Sequence, residues 1–293
     1  MKLGLWGAAD VNPVHTSRSI STVRSGTDRF FFYVVGLCAG LFLAVNAQAA
    51  FQVLEDFDSL TLGDIDEQNG WVATAGSGEV VPGPTDGSSQ ALKVMTDSGA
   101  IRRTASVPQG TTRMLFLRFR FEEHGEFSFG LSHLLNPYEH SDFGPELGMA
   151  SATASDPKNE FRVANGLTNG IYDVLETLVP GSWYNIWILI DNTADTYQVW
   201  MNSVPSGNAQ AGDKLTNNVI ESLFGFRTPT GKDLINFFIK TGGNKSPVEG
   251  RLYIDDIYLE DSDGINLNNP LIPTTHPTKC LPWLLLLLRA EDS

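Results

Sequence analysis

Trp187, Tyr197 and Trp200 stand close together in one stretch of chain, among Asn185, Gln198 and Asn202. A sugar ring offers an apolar C–H face that stacks on an indole or phenol, while neighbouring amides take its hydroxyls. These residue types in this setting point to carbohydrate recognition, with Trp187, Tyr197, Trp200, Asn185 and Gln198 as the candidate contacts. The alternative for each ring is a place in the core. Hydrolytic chemistry has no comparable signal: G-x-S-x-G, H-E-x-x-H and the phosphate-cradling P-loop are all missing. The polypeptide therefore reads as a binder before it reads as an enzyme.

The elements that carry these residues are strands. Arg113 to Phe121 alternates, with Leu115, Leu117, Phe119 and Phe121 on one face and Arg118 and Arg120 on the other. A period of two with one apolar and one charged face marks a half-buried strand. Similar runs cover 53–57, 91–95, 100–106, 126–132, 160–164, 183–191, 196–202, 234–240 and 251–259. Asp191-Asn192-Thr193-Ala194-Asp195 joins two of them as a hairpin turn. Tyr184, Ile186, Ile188 and Ile190 share one face and are assigned to the core, as is Trp183. Short strands, turn punctuation and no interleaved helices predict an all-β, two-sheet antiparallel β-sandwich.

Composition narrows the setting. Of 293 residues, 20 are basic and 34 acidic, a net charge of −14 without a basic run, which argues against nucleic acid as a partner. Phe30 to Val45 is a 16-residue apolar block after Lys2, Arg18, Arg24 and Arg29, and Ala47-Gln48-Ala49 follows it. A basic segment, an apolar core and a small-x-small site specify a signal peptide over 1–49. The block falls short of the ~20 residues of a spanning helix, so the mature chain is expected to be secreted without a membrane span. Residues 1–50 hold four of the basic and two of the acidic side chains, which leaves a net charge near −16. Cys38 and Cys280 both lie outside the sandwich, so disulfides cannot staple it. The domain is placed at 51–270, with a linker and short apolar tail over 271–293; the oligomeric state is not readable.

Two segments carry a family resemblance. Trp183-Tyr184-Asn185-Ile186-Trp187 leading into Asp191-Asn192 and Thr196-Tyr197-Gln198-Val199-Trp200 is one; Tyr253-Ile254-Asp255-Asp256-Ile257-Tyr258-Leu259 is the other. Together with the opening Glu55-Asp56-Phe57-Asp58, they resemble the concanavalin A-like lectin/glucanase superfamily, and more narrowly laminin-G-like jelly rolls of secreted bacterial proteins. The resemblance implies a jelly roll and a structural Ca²⁺ held between the two ends of the domain. Its ligands would be Asp56 or Asp58 and Asp255 or Asp256, the latter two pointing to opposite faces of their strand. It further implies that the first and last strands lie side by side. The E-x-D-x-x-E strand of glucanases of this fold is not present. Of the alginate-lyase patterns, Phe237-Phe238-Ile239-Lys240-Thr241-Gly242 loosely matches one, and Arg118, Arg120 and His133 are the groups such a groove would use. The reading is a secreted, calcium-stabilised, non-catalytic module that binds a polysaccharide. A structural or adhesive domain, and then a lyase or hydrolase, are the alternatives.

Overall fold

The computed structural model describes residues 50–74, 76–85, 87, 89–94, 99–122, 126–149, 159–168, 171–203, 207–242 and 252–272. Residues 1–49, where a signal peptide is expected, both cysteines, His124 and the apolar tail block lie outside the described residues. Along the chain come β1 (Phe51–Glu55), β2 (Gly63–Asp64), β3 (Trp71–Ala73), β4 (Gly78–Pro82) and β5 (Gln90–Val94). Then follow β6 (Ala100–Val107), β7 (Thr112–Phe121), β8 (Phe127–Ser132), β9 (Glu146–Met149), β10 (Glu160–Asn165) and β11 (Ile171–Thr177). The last are β12 (Trp183–Asp191), β13 (Thr196–Asn202), β14 (Phe224–Gly225), β15 (Leu234–Thr241) and β16 (Leu252–Glu260). Helical structure among the described residues is confined to three 3₁₀ turns, His140–Asp142, Gly166–Thr168 and Ala211–Asp213. No helix among them is long and apolar enough to cross a membrane.

The strands form two antiparallel sheets stacked as a jelly-roll β-sandwich. One runs β14-β13-β12-β7-β16-β5-β4-β2, with β1 added to β16; the other runs β11-β10-β9-β8-β15-β6-β3. Phe51 faces Glu260 and Val53 faces Tyr258, so the first and last strands are neighbours, as the sequence led us to expect.

Alternation decides which side chains fill the space between the sheets. Leu115, Leu117, Phe119 and Phe121 of β7 point inward, as do Tyr184, Ile186, Ile188 and Ile190 of β12. They meet Phe127, Phe129 and Leu131 of β8, Phe161 of β10 and Phe237 of β15. Phe119 is the hinge of this packing: it stacks on Phe161 at 5.6 Å and on Tyr184 at 5.6 Å between ring centroids. Removing such aromatic area from water is the main driving term of the fold, at roughly 25 cal/mol per Å².

Candidate functional site

The outward faces of β13, β12, β7 and β16 bring the chemistry together. Pairing sets Trp200 opposite Trp187, Trp187 opposite Phe116, and Phe116 opposite Tyr258. Four aromatic residues thus stand in register across four adjacent strands, a row of about 14 Å at ~4.8 Å per strand. Phe116 meets Trp187 edge-on at 5.0 Å and Tyr258 at 6.0 Å. The Lys214 ammonium caps the row, 5.2 Å from the Trp200 ring. A parallel polar row follows from the same register: Asn202, Asn185, Arg118 and Asp255 face one another in turn. Asn185 donates to Asn202 Oδ1 at 3.4 Å. An apolar floor beside a row of amides and charges is the surface a saccharide chain requires.

The predicted contacts divide. Trp187, Trp200 and Asn185 belong to these rows, and Gln198 lies beside them on the same face, half-buried, opposite Leu189. Tyr197 does not join them. Its ring packs on Phe224 and Phe226, and its hydroxyl sits 2.5 Å and 3.0 Å from the carbonyl oxygens of Ala164 and Glu146. Tyr197 and Trp200 are an odd number of residues apart on one strand, so they leave it on opposite faces. Trp183 moves the other way. Instead of entering the core it stays half-buried on the outer face, with the Arg118 guanidinium 4.7 Å from its ring centroid.

The rows are roofed. Trp187 is 0% and Trp200 4% exposed: Leu267 and Leu271, from residues 265–272 after β16, pack with Phe51 and Tyr258 against the cluster of Met114, Phe116, Trp187, Leu189, Trp200 and Ala209. Trp187 Nε1 donates to the Asn268 carbonyl at 2.9 Å.

The four candidate calcium ligands lie near the junction of β1 and β16, close enough for their charges to act on one another and on Tyr258. Asp256 has φ +53° and the register slips between Asp255 and Tyr258, which marks a β-bulge. The bulge cancels the strict alternation expected there. Asp255 is register partner to Arg118, and Asp256 Oδ2 accepts from Arg118 Nη1 at 2.9 Å. Burial and the Asp256 charge push the Asp255 carboxyl up to about 8 despite Arg118. Burial also raises Asp256, with Asp58 and Asp56 adding to it against Arg118. Asp58 Oδ1 accepts the Gln90 amide at 2.7 Å. Among the described residues no three acidic, histidine or cysteine side chains converge as a metal-ligand group. Arg118 supplies the positive charge at this junction.

A second polar centre, not anticipated from the sequence, lies on the outer face of the other sheet. Leu147 and Met149 of β9 enter the core, so Glu146 and Gly148 point away from it. Gly148 is required where it stands, since a Cβ there would run into the Phe127 carbonyl of β8. Glu146, fully buried, accepts from Ser128 Oγ at 2.8 Å, His140 Nδ1 at 2.9 Å, Tyr172 OH at 2.9 Å and Arg227 Nη1 at 2.7 Å. Burial pushes the carboxyl up, but the His140 hydrogen bond, the Arg227 charge and the Ser128 hydroxyl outweigh it and hold it below its ordinary range. Tyr172, raised by burial and by Glu146, stays a neutral donor, with the guanidiniums of Arg162 and Arg227 at 3.8 Å and 5.3 Å from its ring centroid. The residues of a lyase groove are not assembled: Arg118 and Arg120 lie on β7, whereas His133 follows β8 in the opposite sheet.

No protein-family model and no curated protein sequence matches this chain. Among solved structures, it is similar to the catalytic domain of a glycoside hydrolase family 131 protein from Coprinopsis cinerea, at 15% identity and TM-score 0.47, over 75% of this chain and 98% of that one. It is also similar to the carbohydrate recognition domain of Emp47p (10%, TM-score 0.44, 76% and 100%). A third is the Ca²⁺/Man3GlcNAc-bound exoplasmic/lumenal domain of VIP36 (12%, TM-score 0.45, 75% and 93%). With TM-scores below 0.5, these likenesses decide nothing about ligand or activity.

Proposed function

We propose that this chain is an exported glycan-binding β-sandwich that grips a polysaccharide along the outer face of its larger sheet. The observation that carries the reading is the aromatic row Trp200–Trp187–Phe116–Tyr258 running in register beside the polar row Asn202–Asn185–Arg118–Asp255. The rings would stack on the C–H faces of consecutive sugars, and the polar row, with Gln198, would take hydroxyls. The proposal is of binding without cleavage, since the E-x-D-x-x-E strand of glucanases of this fold is not in the sequence. A hard divalent cation, Ca²⁺, belongs to the proposal at Asp56, Asp58, Asp255 and Asp256. These acids are all oxygen donors, and the single Arg118 leaves them short of positive charge. The test is retardation of the full chain in native gels containing β-glucan, xylan or mannan. At least one gel is expected to slow it, and Gln198→Ala and Asn202→Ala to weaken that effect about tenfold. Migration unaffected by every polysaccharide, including for the roof-opened variant described below, would defeat the reading.

One observation favours catalysis as a second reading. A buried carboxylate orienting an imidazole, as Glu146 does His140, is an arrangement suited to proton transfer. Incubation with the same polysaccharides, read by new reducing ends and by unsaturated-uronate absorbance, separates it from plain binding. His140→Ala would abolish such products.

A further inference from the structure

We propose that residues 265–272 are a displaceable strap that holds the glycan row closed, so that the chain binds polysaccharide only as the strap lifts. The inference rests on the binding reading above and adds its regulation. The strap belongs to neither sheet. Its backbone meets the body where Ala209 N–H donates to the Leu267 carbonyl at 2.9 Å. Besides the Trp187–Asn268 bond, ties run through asparagine side chains: Asn269 N–H donates to Asn208 Oδ1 at 2.7 Å, and Asn269 Nδ2 to the Gly207 carbonyl at 3.1 Å. These are bonds to single groups rather than a strand ladder, with Asn266 Nδ2 also donating to Glu260 Oε1 at 3.1 Å, and segments held in this way open at lower free energy than laddered strands.

The strap also occupies the row in the manner of a ligand. Leu267 and Leu271 lie on the apolar floor, where sugar C–H faces would rest. The Asn268 carbonyl accepts the Trp187 indole N–H, a donor that a saccharide hydroxyl could otherwise use. Ile265 is 62% exposed at the entry and Leu267 and Leu271 stay half-buried, so the strap's own apolar side chains are only partly withdrawn from water. Strap and glycan compete for one surface. Apparent affinity is then the intrinsic affinity reduced by the fraction of time the strap is open. A strap open one part in ten or less masks the affinity about tenfold or more.

Two variants of the full chain test this. Leu267→Ser/Leu271→Ser removes the apolar contacts, and Asn269→Ala removes a polar anchor without touching the aromatic floor. Acrylamide quenching of tryptophan emission reports opening independently of any glycan, and affinity gels with β-glucan, xylan and mannan report binding. The expected result is steeper quenching together with at least tenfold tighter retardation by the polysaccharide that slows the wild type. Should the double variant fail to melt cooperatively, Asn269→Ala carries the test with a smaller gain of the same sign. Quenching that increases while retardation does not tighten would make the strap a structural cover and overturn the inference, leaving the binding reading intact if the wild type is slowed. Unchanged quenching in both variants overturns it as well. An open strap with no retardation by any polysaccharide defeats the binding reading itself.

Discussion

Replacing Glu146 by Ala is the most exacting probe of the smaller sheet. The carboxylate has no exposed surface and satisfies four donors, of which Ser128 is itself buried. Its removal strands the Arg227 guanidinium, a quarter exposed, and leaves the Ser128 hydroxyl without its acceptor. Breaking one side of a buried ion pair costs ~3–5 kcal/mol, and an orphaned buried hydroxyl ~1–3. Because Arg227 can still reach water, we take the lower end of the first range, for a total of about 4 kcal/mol. At ~2–4 °C per kcal/mol in a domain of this size, Tm is expected to fall by about 10 °C. Arg227→Met should rescue part of that loss, since removing both charges leaves neither unpaired. Urea melts of the two single variants and the double variant give the coupling directly. The pH dependence has a defined sign. The Glu146 carboxyl is held below 4.5, so its contribution is present above about pH 4.5 and is lost as pH falls through the lower native value. The difference between wild type and Glu146→Gln should therefore shrink only in acid. A Glu146→Ala loss below 1 kcal/mol, or strict additivity with Arg227→Met, would refute this account of the cluster.

Three further outcomes follow from the larger sheet. EDTA is expected to lower Tm and Ca²⁺ to restore it, with a ~2.7 kcal/mol gain at 100 times the dissociation constant; a Tm indifferent to both removes the cation from the proposal. With EDTA present, Asp255→Asn should flatten the pH profile. The wild-type carboxyl keeps its proton up to about 8 in the fold but only to about 3.8 when unfolded, so native stability falls by about 1.4 kcal/mol per pH unit across that window. Urea melts at pH 5, 7 and 9 check it, and parallel profiles for the two proteins would contradict it. Tyr197→Phe should cost ~1–3 kcal/mol in urea melts, because the Ala164 and Glu146 carbonyls lose their shared donor, while leaving polysaccharide retardation unchanged.

How much of this was legible in the residues depends on uninterrupted alternation. Trp183–Asp191 and Thr196–Asn202 were delimited correctly from their pattern alone, because both are long and lose period two only at the turn. Glu146–Met149 escaped notice because only four residues form the strand and its outward positions are Glu and Gly, a weak contrast with Leu and Met. With that strand went the whole Glu146 centre, whose donors come from β8, a 3₁₀ turn, β11 and the segment after β14. The error over Tyr197 was avoidable, since its odd offset from Trp200 already placed the two on opposite faces. The Asp255–Asp256 bulge was not readable, because it depends on a left-handed residue that is not glycine. Neither was the roof, as residues 265–272 have no periodicity and owe their place to the aromatic row beneath them.

The position of β16 has a bearing on how such a chain is made. The last strand among the described residues, β16, lies inside its sheet, bonded to β7 along one edge and to β5 and then β1 along the other. Until it arrives, the edges of three earlier strands have nothing to pair with, and the first strand must wait for a partner encoded at the far end of the domain. Contacts so distant in sequence make for slow, late closure. Premature termination before Leu252 would yield open-edged sheets prone to aggregate rather than a smaller working domain.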